Sequence, residues 1–214
     1  MSTFLRPVPE VCTAYFELHE RVSQLISDLP ESATSTAVPH CPQWTVKDVL
    51  SHMIGVPEDI LNGAMDGVAT NAWTQRQVDR HTSHTFSELL HMWDEALDTF
   101  QHVLPNIPQP VISQFVFDQA THEQDIRHAL SSPGARDSSA IAVAEGFLRD
   151  FLSRNADPEI ATLANCPLTG FEFVRSLSGR RSLEQIAALG LPAKSVEAFI
   201  ETAPFDLPLQ TVVE

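Results

Sequence analysis

A chain of 214 residues with 43% hydrophobic content is long enough to bury a core without disulfide staples, as one large domain or a main domain with a small appendage. Thirteen basic against 28 acidic side chains give a formal charge of −15, a balance opposed to binding nucleic acid or anionic membrane surfaces. Cys12, Cys41 and Cys166 are widely spaced and form no CxxC pair, so they read as reduced thiols. There is no basic region followed by an apolar run at the N-terminus, and no approach to the roughly 18 continuous apolar residues of a membrane span; a cytoplasmic protein is expected.

In chain order, residues 9–29 form a first predicted helix, with Val11, Tyr15, Leu18, Val22, Leu25 and Leu29 on one seam. Pro30 ends it, and 31–42 reads as a Ser/Thr/Pro-rich loop. Thr45 and Asp48 have the spacing of a capping box, opening a strongly apolar second helix that runs through His52. Gly55 and Pro57 are expected to bend or interrupt it, with a further helical piece to about Met65. Residues 67–84 read as irregular or weakly helical. Thr85 with Glu88 is another capping box and opens a helix to about Leu104. A fourth long helix covers 111–130, and a loop over 131–137 leads to a helix from about Ser138 to Arg154.

Several long amphipathic helices joined by loops define a mainly α protein, a helix bundle over 1–155. Beyond Asn155 proline and glycine become frequent, and 182–189 and 193–202 read as short helices. Residues 156–214 are read as a small subdomain or tail packed on the bundle.

The chemistry-bearing pattern is His52 on one helix with Asp118 and His122 on another. Asp118 and His122 are four residues apart, so their side chains project from one helix face. Two imidazoles and a carboxylate on facing helices can hold a divalent metal and leave a coordination position open. Asp48 is explained by capping. Thr121 and Asp125 share the face of His122 and are placed to orient it. His81, His84 and His91 sit in or beside a polar segment, with no spacing that compels a role.

Three blocks resemble one family. The stretch Cys41-Pro42-Gln43-Trp44-Thr45-Val46-Lys47-Asp48-Val49-Leu50-Ser51-His52, the stretch Thr121-His122-Glu123-Gln124-Asp125-Ile126-Arg127, and the block Phe171–Ser182 resemble, in order, segments of the mycothiol-dependent maleylpyruvate isomerase family. That family belongs to the wider DinB/YfiT-like metal-binding bundles. The resemblance implies an up-down four-helix bundle with metal ligands at His52, Asp118 and His122, where Asp118 replaces the family's usual glutamate. It further implies that an arginine after Gly179 faces the site and binds a substrate carboxylate. Arg180 is the expected residue, with Arg181 solvated. The family's full-length enzymes carry a larger α/β C-terminal domain than the stretch after Asn155.

Two imidazoles and one carboxylate favour Zn²⁺. The resemblance implies mycothiol or a related low-molecular-weight thiol, held as thiolate, as nucleophile toward a small-molecule substrate. In an isomerase the thiolate adds to an activated double bond, the adduct rotates and the thiol leaves. In a transferase the thiol stays. A metal-dependent hydrolase using bound water and a non-catalytic metal- or ligand-binding bundle are the alternative readings.

Overall fold

The computed structural model describes residues 4–208 and 210–214. They are mainly helical, and none of their helices is long and apolar enough to cross a membrane. The elements run α1 (Val8–Ser27), β1 (Ala37–Val38), β2 (Cys41–Thr45), α2 (Val46–Asn62), α3 (Asn71–His81), α4 (Phe86–Val103), α5 (Val111–Ala129), α6 (Ser139–Ser153), α7 (Pro158–Thr162), α8 (Gly170–Leu177), α9 (Leu183–Ala188) and α10 (Ala193–Thr202).

Helix α5 lies at the centre and packs against α1, α2 and α6. Its buried residues, from Ile112 to Ile126, go all round the helix, which marks a helix enclosed by neighbours rather than lying on a surface. The seam of α1 is buried as Val11, Tyr15, Leu18, Val22 and Ile26. Tyr15 meets Phe100 of α4 and Phe115 of α5 edge-on or tilted, and its hydroxyl accepts from Trp93 Nε1 at 3.1 Å. The buried phenol and indole thus satisfy each other at the middle of the core.

The predicted starts of α2 and α4 hold atom for atom. Thr45 Oγ1 accepts from the Asp48 N–H and Asp48 returns a bond to the Thr45 N–H; Thr85 and Glu88 do the same. Other expectations are corrected. Pro57 does not interrupt α2, because the residues flanking it, from Met53 to Val56, are buried and this packing outweighs one lost helical hydrogen bond. The helix ends at Asn62, capped by left-handed Gly63 (φ 67°). Within the expected loop 31–42, a 3₁₀ turn at Glu31–Ser35 leads into a short antiparallel hairpin, with Val38 opposite Cys41.

The segment read as irregular contains α3, capped by Thr70, whose side chain accepts from the Trp73 N–H. Its buried side is Trp73, Gln77, Val78 and His81. Two of these four are polar, so a search for apolar periodicity passes over it.

After Asn155 the chain carries short helices, α7 and α8 besides the two expected as α9 and α10. Arg149 of α6 holds the connection between them, donating to the carbonyls of Ala164 (2.6 Å), Cys166 (3.3 Å) and Leu168 (2.7 Å). Phe173, Val174, Leu177 and Ile186 join the same hydrophobic core as the long helices. Gly179, after α8, has φ 75°, and a Cβ there would collide with the Asp206 carbonyl oxygen. Both the turn and the closeness of the C-terminal segment require glycine.

Candidate metal centre

The α2 and α5 helices bring His52, Asp118 and His122 together. His52 Nε2 lies 3.3 Å from Asp118 Oδ2, and His122 Nε2 lies 3.7 Å from Asp118 Oδ1. The two imidazoles meet edge to face, with centroids 4.9 Å apart. One ligand atom from each of the three residues lies within 4.8 Å of the others, a spacing small shifts can close around one ion. The histidine side chains are 4% and 11% exposed, whereas that of Asp118 is 35% exposed. Access is therefore from the carboxylate side.

Burial alone would raise the Asp118 carboxyl, but His52 beside it, with His122 and Arg180, brings its pKa down to about 2. The burial of His52 opposes its charge, and the Asp118 carboxylate and Gln77 amide outweigh that, raising its pKa. Burial, assisted by His52, lowers that of His122. The centre thus pairs an ionised carboxylate with one imidazole whose protonated form is favoured and one whose neutral form is favoured. A divalent cation can replace that proton, since metal binding and deprotonation of the ligand are coupled.

The donor set fits a metal on a further observation. His52 Nδ1 is taken by Gln77 Oε1 at 2.7 Å, which leaves Nε2 for the centre. Asp125 Oδ2 lies 3.2 Å from His122 Nδ1, which leaves Nε2 of His122 facing Asp118. Thr121 turns away from His122, its hydroxyl donating to the Phe117 carbonyl at 2.8 Å. Trp44, carried in by β2, covers the centre, with its ring 5.5 Å from His52 and 6.1 Å from His122. Asp48 is spent on its cap. His81 is buried against Glu58 at 3.1 Å, and His91 is exposed beside Glu95.

Behind His122 lies an ion cluster that residue spacing does not reveal. Asp125, with no exposure, accepts from Arg175 Nη1 at 2.7 Å and Arg180 Nη2 at 2.8 Å. Arg175 also pairs with Glu214, which takes a second bond from Arg181 Nη1 at 2.7 Å. The turn at Gly179 does aim Arg180 inward. Arg181 is not solvated: it is 5% exposed and held by Glu172 and Glu214. Both arginines turn inward because each finds a carboxylate there. Cys41 touches the same cluster, 3.6 Å from Asp125 Oδ2. Burial, reinforced by Asp125, pushes its thiol up to about 12, so the free thiol is protonated at neutral pH.

A mainly helical protein with two histidines and a carboxylate gathered between buried helices belongs to a class in which such a trio can seat a metal. Residues 15–127, more than half of the chain, match the family described as mycothiol maleylpyruvate isomerase N-terminal domain. The chain belongs to that family. The match includes His52, Asp118 and His122 and stops short of Arg175 and Arg180. No curated protein and no solved structure matches the chain.

Proposed function

We propose that this protein is a metal- and thiol-dependent enzyme, an isomerase or a thiol transferase, acting on a small carboxylate-bearing molecule. The observation that carries the reading is the approach of His52 Nε2, His122 Nε2 and the Asp118 carboxylate to one point, in a family named for a mycothiol-dependent reaction. On this reading α1, α2, α4 and α5 form a DinB-like four-helix unit in a cytoplasmic protein. His52, Asp118 and His122 hold the ion, for which Zn²⁺ is the best match to the donor set. Bound there, the metal supplies the Lewis acidity that keeps a low-molecular-weight thiol deprotonated at neutral pH.

The remaining roles belong to side chains of this chain. Asp125 braces His122 from behind. Trp44 excludes water from one side of the two imidazoles. Arg180, held by Asp125 through Nε and Nη2 and by the Ser178 carbonyl through Nη1, lies close enough for its charge to act on Asp118 and would attract a substrate carboxylate to the centre through that charge.

Cobalt substitution tests the thiol. Adding mycothiol or a related thiol to the Co²⁺ protein should produce the intense near-ultraviolet absorption of a thiolate ligand. A cobalt spectrum indifferent to a broad panel of thiols, with thiol-independent turnover of esters or amides, would replace this reading with water activation. Metal binding without turnover under any condition would leave a binding protein.

A further inference from the structure

The hydrogen bonds linking Arg80, Asp59, Gln77 and His52 have a direction, and we infer that they fix which nitrogen of His52 faces the metal centre. Arg80 Nη2 donates to Asp59 Oδ1 at 2.5 Å, and Gln77 Nε2 donates to Asp59 Oδ2 at 2.7 Å. A carboxylate can only accept. The Gln77 amide must therefore turn its NH₂ toward Asp59 and its oxygen toward His52, where Oε1 lies 2.7 Å from Nδ1. That oxygen also can only accept, so Nδ1 is the donor. Without metal, Nε2 can donate to Asp118 Oδ1 at 3.4 Å; when a cation displaces that proton, His52 keeps the one on Nδ1 and turns its Nε2 lone pair to the ion. The Asp59 carboxylate, held by Arg80, thus orients Gln77 and through it fixes the proton on His52 Nδ1.

The geometry leaves this chain little freedom. Gln77 has no exposure, and His52 and Asp59 are each 3% exposed. Gly55 permits the arrangement: a Cβ there would lie 2.5 Å from Gln77 Cβ and 2.7 Å from Gln77 Cγ. Helix α3 thus lies against α2 at a separation only glycine allows, close enough for Gln77 to bridge Asp59 and His52. Gln77, Asp59 and Arg80 are positioning residues that act through His52. The inference rests on the metal reading above.

Asp59→Asn tests it by reversing the chain at nearly constant shape. Arg80 still needs an oxygen, so the introduced amide keeps its oxygen on Arg80 and turns its NH₂ to Gln77. Gln77 then turns its oxygen to that NH₂ and its own NH₂ to His52 Nδ1. Nδ1 must now accept, the proton moves to Nε2, and the nitrogen facing the centre is closed. In long-range ¹H–¹⁵N spectra, His52 Nδ1 should carry a proton in the wild type and none in Asp59→Asn. Zn²⁺ affinity, read by competition with a chromophoric chelator, should fall about 10–100-fold, with helical circular dichroism retained. Gln77→Met serves if Asp59→Asn does not fold: it should populate both tautomers and also weaken Zn²⁺. An unchanged tautomer and wild-type affinity in the folded variant would overturn the inference and leave the metal centre standing. Failure of the wild type to bind Zn²⁺ would instead remove the metal reading, while the spectra still decide whether the chain governs His52.

Discussion

Protein prepared without chelator should carry close to one divalent metal ion per chain, and His52→Ala and His122→Ala should each lose most of it. On this assignment each histidine supplies a nitrogen to a three-residue set, with Gln77 engaging His52 at Nδ1 and leaving Nε2 for the ion. Losing a direct ligand should cost more than the roughly 10–100-fold typical of disturbing a supporting residue. Elemental analysis reads the stoichiometry, and thermal unfolding with added Zn²⁺ reads the linkage. A ligand that binds only the folded state at about 100 times its Kd contributes about 2.7 kcal/mol. The wild type should therefore melt at higher temperature with Zn²⁺, and both variants should respond far less. Full metal content in both variants would remove the assignment.

Asp125→Asn should be the most destabilising single change near the site, by about 3–5 kcal/mol in urea denaturation, because it leaves the Arg175 and Arg180 guanidiniums buried against a neutral amide. The effect has a pH signature. Burial alone would raise the Asp125 carboxyl, but Arg180 and Arg175 hold it well below the usual carboxylate range. A group whose value is depressed by folding contributes stability that is complete above its unfolded pKa and lost as pH falls through the folded value. At neutral pH the two proteins should differ by the full amount, and in strong acid their stabilities should converge. A loss under about 1 kcal/mol, the scale of solvated ion pairs, would show that water reaches the cluster.

The sequence reveals features whose causes lie close together along it. The Thr45–Asp48 and Thr85–Glu88 caps are exchanges between residues three apart, and Asp118 and His122 share a face through helix period alone. Helix α3 escapes notice because Gln77 and His81 occupy buried positions where apolar residues would mark a helix. Their burial is compensated by Asp59 and Glu58 of α2, partners that only the folded chain supplies. The same holds for Arg181, whose solvated reading fails because Glu214 lies on a distant segment. His52 could be linked to α5 from the sequence only through the family resemblance, since periodicity within each helix says nothing about which helices face each other.

The way charge is divided between inside and outside bears on how a ligand arrives. Arg149, Arg175 and Arg181 are buried, as are Asp59, Glu123, Asp125 and Asp150. Interior cations and anions thus largely cancel, and the excess of acid lies on the exterior. A carboxylate-bearing molecule approaching from solution meets a repulsive field before it reaches the arginine that would receive it. Encounter should consequently speed up as salt is added and the screening length shrinks from about 30 Å at 0.01 M to about 8 Å at 0.15 M, the reverse of an electrostatically steered enzyme. Stopped-flow association rates would show a positive slope with ionic strength for an anionic ligand and almost none for a neutral one.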